Sequence, residues 1–99
     1  MLKLGSLKID WSKHLVLMDG VRVALTTKEF NLLKAMIEAR GRVLGRDQLL
    51  DRAWGYDRPS EIETRTVDLH ISQLRRKLGG AAHRIVTLKG VGYRFIIDE

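Results

Sequence analysis

The chain has 99 residues, with 18 lysine and arginine residues against 12 aspartate and glutamate residues, which gives a formal net charge of +6 at pH 7. This length corresponds to one ordinary domain with one small core. An apolar content of 44% and a charged content of 30% exclude a disordered polyelectrolyte and a membrane protein. The absence of cysteine excludes disulfides, thiolate zinc sites and thiol nucleophiles. No apolar stretch approaches the ~18 residues of a membrane span and no secretory signal is visible, so we expect a cytoplasmic domain without membrane contact.

The positive charge is concentrated in the last third of the chain. Residues Thr64 to Ile97 contain seven basic residues and one acidic residue, so this segment alone carries a net charge of +6. A basic surface attracts polyanions, which include nucleic acid, anionic membranes and acidic proteins. Solubility alone is an alternative explanation for a net charge of this size. The pattern inside the basic segment is therefore needed to choose between them.

Alternating apolar and polar residues predict a small antiparallel sheet in the first 25 residues. Leu7, Ile9 and Trp11 are predicted to share one face of a half-buried strand. Asp19-Gly20 lies between two apolar runs and supplies the positive φ values that a two-residue hairpin turn requires. We therefore expect three or four short antiparallel strands.

Two helices are predicted after this sheet. Thr26 to Glu29 has the sequence of a capping box, and the helix that it opens is expected to run to about Arg40. A second, short helix is expected after Gly45, a modest N-cap, with Asp47 near its positive end and its last apolar residue at Trp54.

The third predicted helix has two different faces. At 100° per residue, Val67, Ile71, Leu74 and Leu78 fall within a stripe about 40° wide, which predicts a core-facing seam. The rest of the helix surface carries Arg65, Leu69, Ser72, Gln73 and Arg76 on the opposite face, Thr66, His70 and Lys77 on one flank, and Asp68 and Arg75 on the other.

The composition of that opposite face favours a helix that reads DNA. A solvated face usually pairs glutamate with lysine at i,i+4, whereas this one has a single acid, an apolar residue and hydrogen-bonding side chains of several lengths. In the major groove, arginine can donate to guanine or phosphate, glutamine can pair with adenine, and an apolar side chain can contact the thymine methyl group. A generic basic helix is the alternative interpretation.

The end of the chain is predicted to form a β-hairpin wing. Two strand-like segments, Arg84 to Leu88 and Tyr93 to Ile97, flank a glycine-bearing turn with Lys89 at its tip. Lys89 can enter a minor groove or neutralise a phosphate, and Thr87, Tyr93 and Arg94 are placed to contact phosphate oxygens. Tyr93 and Phe95 share one face of the strand, however, and this face can instead belong to the core. The turn lacks the third small residue and the following helix of a dinucleotide-binding loop.

Several motifs in this order closely resemble the winged helix-turn-helix effector domain of OmpR/PhoB-type bacterial two-component response regulators. The motifs are Leu25-Thr26, Glu29 to Leu33, Arg46 to Gly55, Arg65 to Ile71, Leu74 to Leu78 and Lys89 to Phe95. The resemblance covers essentially the whole chain, residues 1–99, as one effector domain. It implies an α+β fold with an N-terminal four-stranded antiparallel sheet, three helices of which the third is the recognition helix, and a C-terminal hairpin wing.

The resemblance also implies roles in DNA binding, with the recognition helix in the major groove and the wing in the minor groove. By resemblance, Arg65, Thr66, His70 and Arg75 would hold the phosphate backbone or the groove edges. Arg76 and Lys77 are candidate DNA contacts because of their place on the helix surface, and Arg94 because of its place on the wing. Leu69 would pack on thymine methyl groups, Trp54 would approach a phosphate, and Thr87 and Tyr93 would bracket the backbone near the wing. Ser72, Gln73 and Lys89 depart from the best-known pattern, and we predict that Gln73 shifts the preference toward adenine.

In this family the loop between the second and third helices faces RNA polymerase. Here the candidate contacts are Tyr56, Asp57, Arg58, Glu61 and Glu63, and an acidic loop would avoid DNA and remain available to a basic protein surface. A solvated loop without a partner is the alternative. The resemblance further implies a preceding receiver domain, which these 99 residues do not contain, and two copies on a direct-repeat operator. The chain is expected to be either an excised effector domain or a stand-alone regulator.

The sequence gives little support to an enzyme. His14, His70 and His83 lie far apart without metal-ligand spacing, and no serine lies in a Gly-x-Ser-x-Gly elbow. We therefore predict no catalytic residues, no metal site and no cofactor. The competing classes are an RNA-binding winged helix, which would favour exposed aromatic residues on the basic face, and a protein-interaction module that does not bind DNA.

Overall fold

The computed structural model describes residues 1–55 and 63–98. Its elements are, in chain order, β1 (Leu2–Leu4), β2 (Leu7–Asp10), β3 (Leu15–Met18), β4 (Val21–Arg22), α1 (Thr27–Glu38), α2 (Arg46–Trp54), α3 (Arg65–Leu78), a 3-10 helix (Gly79–Arg84), β5 (Ile85–Leu88) and β6 (Gly92–Phe95). The α+β winged-helix architecture predicted from the sequence is confirmed. None of the helices in the described ranges is both long and apolar enough to cross a membrane.

The N-terminal sheet is antiparallel, with the strands in chain order β1-β2-β3-β4. Asp19 and Gly20 have φ values of 53° and 80°, as the predicted hairpin turn between β3 and β4 requires. Leu7 and Ile9 are buried on one face of β2. Trp11 lies just beyond β2 in a turn, where its ring packs edge-on against Phe30 at a centroid distance of 5.4 Å.

The first helix begins as predicted. The Thr26 hydroxyl accepts a hydrogen bond from the Glu29 backbone N–H at 3.2 Å, and the Glu29 carboxylate accepts one from the Thr26 backbone N–H at 2.8 Å. The two bonds satisfy backbone donors that a helix N-terminus leaves free. The helix ends at Glu38, two residues before the predicted end, because Arg40 already has a positive φ of 53°.

The core lies where the sheet and the three helices meet. Val67, Ile71, Leu74 and Leu78 of α3 are fully buried in it, which confirms the predicted seam. They pack in one cluster with apolar side chains of β2, α1, α2 and the hairpin. The buried face of α3 therefore fixes which of its residues remain available to a partner.

The C-terminal hairpin is joined to the segment between α1 and α2. Leu44 and Tyr93 exchange two backbone hydrogen bonds, of 2.8 and 2.9 Å, so that the linking segment is attached to β6 by one isolated antiparallel bridge. Gly92 makes this approach possible, because a Cβ atom at that position would overlap the carbonyl group of Leu44. The strands are shorter than predicted: Arg84 belongs to the 3-10 helix, and Ile96 and Ile97 lie beyond β6.

Candidate nucleic-acid interface

The face of α3 opposite the core is open to solvent. Leu69 is 64% exposed, a large fraction for an apolar side chain in a helix. The same face contains the exposed residues Arg65, Ser72, Gln73 and Arg76. On its flanks Lys77 is exposed, while Thr66, Asp68, His70 and Arg75 are half-buried. The face of α3 that the sequence predicts to be exposed is therefore the face that is exposed in the structure.

One flank of α3 contacts the end of α2 through aromatic rings. Trp54 meets His70 edge-on, with ring centroids 5.0 Å apart, and the Lys28 ammonium lies 5.5 Å from the centroid of the Trp54 ring. The His70 Nδ1 atom is 2.8 Å from the Thr66 carbonyl oxygen, which can only accept, so Nδ1 donates and the Nε2 edge is not used in this bond. The structure thus brings together Trp54 and His70, two of the residues that the sequence proposes as DNA contacts.

The other flank of α3 is bonded to the wing by Arg75. Its guanidinium donates to the Ile85 carbonyl oxygen at 2.8 Å and to the Thr87 hydroxyl oxygen at 2.6 Å. It also lies 5.7 Å from the centroid of the Tyr93 ring. Because the Thr87 oxygen accepts from Arg75, the Thr87 hydroxyl proton is free to be donated elsewhere. Arg75 and Thr87 are therefore paired with each other as well as placed near the surface.

Tyr93 is only 5% exposed, and its hydroxyl donates to Asp68 at 2.5 Å. Burial, together with the hydrogen bond to Asp68 and the negative charge of that carboxylate, raises the pKa of Tyr93 to about 12. The same carboxylate oxygen accepts from Arg46 Nε at 3.1 Å. The sequence left Tyr93 either at the DNA or in the core, and the structure places it in the core. Its hydroxyl has a partner within the protein, the Asp68 carboxylate.

Lys77 pairs with an acid that the sequence-based site did not include. Its ammonium donates to the Glu29 carboxylate at 2.7 Å, and the Glu29 side chain is fully buried. Burial alone would raise the pKa of Glu29, but the hydrogen bonds from Lys77 and Thr26 and the positive charge of Lys77 outweigh it, so the pKa is held below its ordinary value. Lys77 therefore has a structural partner in the free protein.

The tip of the wing is exposed and carries one cation. Lys89 and the apolar Val91, which is 61% exposed, project from the turn between β5 and β6, while Arg94 on β6 is half-buried. Of the candidate polymerase contacts, Tyr56, Asp57, Arg58 and Glu61 lie outside the described residues. Glu63 is exposed and forms an ion pair with Arg65, with a distance of 2.7 Å between Arg65 Nε and Glu63 Oε2.

The profile of the family described as "Transcriptional regulatory protein, C terminal" matches residues 20–95, which include all three helices and the wing. The chain belongs to this family. It is the C-terminal DNA-binding domain of transcriptional regulators of the OmpR/PhoB type, which confirms the resemblance inferred from the motifs.

Two solved structures and one curated sequence illustrate the similarity of this OmpR/PhoB-type domain to known proteins. The RstA DNA-binding domain of Klebsiella pneumoniae, solved in complex with the RstA box, is 36% identical with a TM-score of 0.80, and the match covers 95% of this chain and 94% of that one. The response regulator DrrB of Thermotoga maritima, an OmpR/PhoB homologue, is 35% identical with a TM-score of 0.82, over 95% of this chain and 43% of that one. The probable transcriptional regulator ycf27 of Cyanophora paradoxa is 43% identical over 97 residues, which are 95% of this chain and 41% of that protein. The chain therefore spans about two fifths of the length of this curated relative.

Two polar residues of this OmpR/PhoB-type domain have functions in the structure that sequence reasoning missed. Glu29 was identified as a capping residue, but its pairing with Lys77 joins positions 48 apart in the chain. Arg46, noted only as part of a motif, is bonded to Asp68. One signal was available for the second pair, because Asp68 is the single acid on an otherwise basic helix and is therefore attractive to a nearby cation.

Proposed function

We propose that this domain binds double-stranded DNA sequence-specifically by inserting α3 into the major groove and the wing into the adjacent minor groove, as the output domain of a two-component response regulator. The observation that carries the proposal is the division of α3 into a fully buried apolar seam and an exposed face of arginine, glutamine, serine and leucine side chains. A helix of this composition fits the major groove and offers donors and apolar contacts to base edges.

Base preference is assigned to the exposed middle of α3. Gln73 can form a bidentate pair with adenine, and Leu69 can pack on a thymine methyl group. Ser72 can bond to more than one base and therefore adds little discrimination. The preferred site is accordingly expected to contain A·T pairs where Gln73 and Leu69 face the groove.

Phosphate contacts are assigned to residues around that centre. The proposed donors to the backbone are Arg65, Thr66, His70, Arg75, Arg76 and Lys77 on α3, Trp54 at the end of α2, and Thr87, Lys89, Tyr93 and Arg94 on the wing. Thr87 has the best geometry among the wing hydroxyls, because its oxygen accepts from Arg75 and its proton stays free. A direct phosphate contact from the Tyr93 hydroxyl requires its single proton to be released from Asp68, whereas the Lys77 ammonium keeps two further N–H donors for a phosphate while it is bonded to Glu29.

The remaining partners follow from the family and the sequence. We propose a receiver domain in the full-length protein, a second copy on a direct-repeat operator, and RNA polymerase contacting the acidic loop that contains Asp57, Glu61 and Glu63. The support for the last contact is the negative charge of that loop between two segments of net positive charge. This role is regulatory, without catalysis or a cofactor, and is exercised in the cytoplasm.

The proposal is tested by selecting binding sites from random duplex DNA with the purified domain and titrating the enriched site at several salt concentrations. We expect one enriched motif with A·T pairs at its centre and an affinity that falls as salt rises, because each phosphate contact releases counterions. A scrambled duplex of the same composition is the control. Selection without enrichment, or equal affinity for the selected and scrambled duplexes, contradicts sequence-specific binding.

A further inference from the structure

The carboxylate of Asp68 joins three elements of the proposed DNA-binding surface. Asp68 lies on α3, and one of its oxygens accepts from Arg46, the first residue of α2, and from Tyr93 on β6. The distances are 3.1 Å to Arg46 Nε and 2.5 Å to the Tyr93 hydroxyl oxygen. Recognition helix, preceding helix and wing are therefore held together at one atom.

An acid at this position needs a physical explanation. Asp68 is the only acidic residue of α3, and a carboxylate beside a helix that meets DNA repels phosphates. Its pairing with Arg46 reduces that repulsion by neutralising the charge locally. Its bond to Tyr93 satisfies a hydroxyl that is almost completely buried and that would otherwise be left without a partner.

The two wing hydroxyls consequently differ in what they can offer to DNA. Thr87 and Tyr93 are directly opposite each other on β5 and β6. The Thr87 oxygen accepts from Arg75 and keeps its proton free, whereas Tyr93 donates its proton to Asp68. Tyr93 is thus bonded as a structural group that connects the wing to α3, while Thr87 remains available to a phosphate.

We infer that Asp68 is a positioning residue, which fixes α2 and the wing against the recognition helix before DNA arrives and thereby sets the discrimination between the operator and other DNA. The inference rests on the proposed function and adds to it a determinant of specificity that contacts no base. Sequence-independent binding depends on overall charge attraction, whereas specific binding requires helix and wing to meet both grooves in register.

The test is the ratio of affinities for the selected operator and for a scrambled duplex, measured for the wild type, Asp68→Ala and Asp47→Ala. Asp47 is the matched control, because it is an exposed acid in the first turn of α2 and its removal changes the net charge equally. We expect Asp68→Ala to lower operator affinity about tenfold while scrambled-duplex affinity stays the same or rises, so the ratio falls. Asp47→Ala should leave the ratio unchanged.

The other possible effects of Asp68→Ala on the two affinities have different explanations. If Asp68→Ala strengthens both affinities equally, the acid acts only by repulsion, and if it weakens both equally, its effect is only on folding; either result overturns the inference. Failure of the wild type to discriminate the operator contradicts the proposed function itself and not this role of Asp68.

Tyr93→Phe provides an independent check, since it keeps the buried ring and removes only the hydroxyl. If the Asp68–Tyr93 bond carries the positioning, the double variant loses less discrimination than the product of the two single losses. If the double variant instead loses discrimination by the full product of the two single losses, the two residues act independently and the Asp68–Tyr93 bond does not carry the positioning. In addition, a spectroscopic titration of the phenols should show the pKa of Tyr93 falling from about 12 in Asp68→Ala, because the hydrogen bond and the negative charge are removed.

Discussion

Two leucines five positions apart on α3 have opposite environments. Leu74 is fully buried among the side chains of the core, whereas Leu69 is 64% exposed on the opposite side of the same helix. Burial of the Leu74 side chain stabilises the fold, whereas the exposed Leu69 side chain contributes little to stability and remains available for contact with a partner. One helix thus contributes one face to the core and leaves exposed the other face, which we propose to bind DNA.

The difference between the two faces implies that stability and DNA binding can be changed separately. Substitutions in the buried seam should lower the free energy of unfolding and affect DNA binding only through the folded fraction. Substitutions on the exposed face should change binding at constant stability. The flanks couple the two properties, because Asp68, Arg75 and Lys77 are bonded to other elements of the fold.

The largest effect expected on stability is that of Leu74→Ala. Removal of a fully buried leucine side chain leaves a cavity and should lower the free energy of unfolding by about 3 kcal/mol. Leu69→Ala is the matched variant on the exposed face, and its free energy of unfolding should change by less than about 0.5 kcal/mol. Urea unfolding followed by circular dichroism measures both values.

DNA titrations of the same two variants complete this test. Leu69→Ala should lose affinity for the selected site, while folded Leu74→Ala should bind with wild-type affinity after correction for its folded fraction. Equal losses of stability in the two variants would show that the two faces are not distinct.

The next effect in size is expected on a flank, for Lys77→Met. It removes the cation from the fully buried Glu29 carboxylate, and we expect a loss of about 2 kcal/mol at neutral pH. Lys89→Met removes an exposed lysine at the tip of the wing and should leave stability unchanged. Urea unfolding at pH 7 distinguishes them, and equal stability of the two variants contradicts a structural role for the Glu29–Lys77 pair.

The same pair makes a prediction about pH. In the wild type the pKa of Glu29 is lowered, so its contribution to stability is present above the ordinary glutamate pKa and is lost as the pH falls through the lower, folded-state pKa. In Lys77→Met the burial remains without the cation, so the pKa of Glu29 rises and protonation relieves the unpaired charge. The stability difference between wild type and variant should therefore shrink as the pH is lowered, which unfolding at a series of pH values measures.

Features determined by neighbouring residues were the ones that the sequence could predict. The turn at Asp19-Gly20, the capping box at Thr26 and the buried seam of α3 each depend on φ preferences or on helical spacing within a short segment. The same helical spacing also predicts which face of α3 is exposed. The fold and the central part of the candidate site are therefore accessible from local patterns and motifs.

Features that depend on contacts between distant segments were not accessible in this way. The partner of Lys77 is 48 residues away, and Tyr93 and Asp68 are 25 residues apart. Helical phase placed Lys77 on a flank without showing that Glu29 would be buried beside it. Likewise, strand alternation left Tyr93 either in the core or at the DNA, and only the packing of the wing against α3 distinguishes the two locations.

A smaller effect is expected within the exposed face, for Gln73→Ala. Loss of a bidentate contact with adenine should weaken binding to the selected site by about 1.5 kcal/mol and relax the preference at one base position. The free energy of unfolding should not change, because Gln73 is exposed. Competition assays with all four bases at each position of the site measure the preference, and an unchanged ranking of the sites refutes the assigned contact.

The smallest effect is expected at the wing tip, for Lys89→Ala. If Lys89 neutralises one phosphate, its removal should reduce the slope of log affinity against log salt concentration by about 0.9 and weaken selected and scrambled duplexes alike. This uniform loss distinguishes Lys89 from Gln73, whose removal affects one base position, and from Asp68, whose removal affects the ratio between specific and non-specific DNA. Titrations of both duplexes at several salt concentrations measure the slopes. A wild-type slope in Lys89→Ala would mean that the exposed cation at the tip stays hydrated in the complex and that the wing contacts DNA through Thr87 and Arg94 instead.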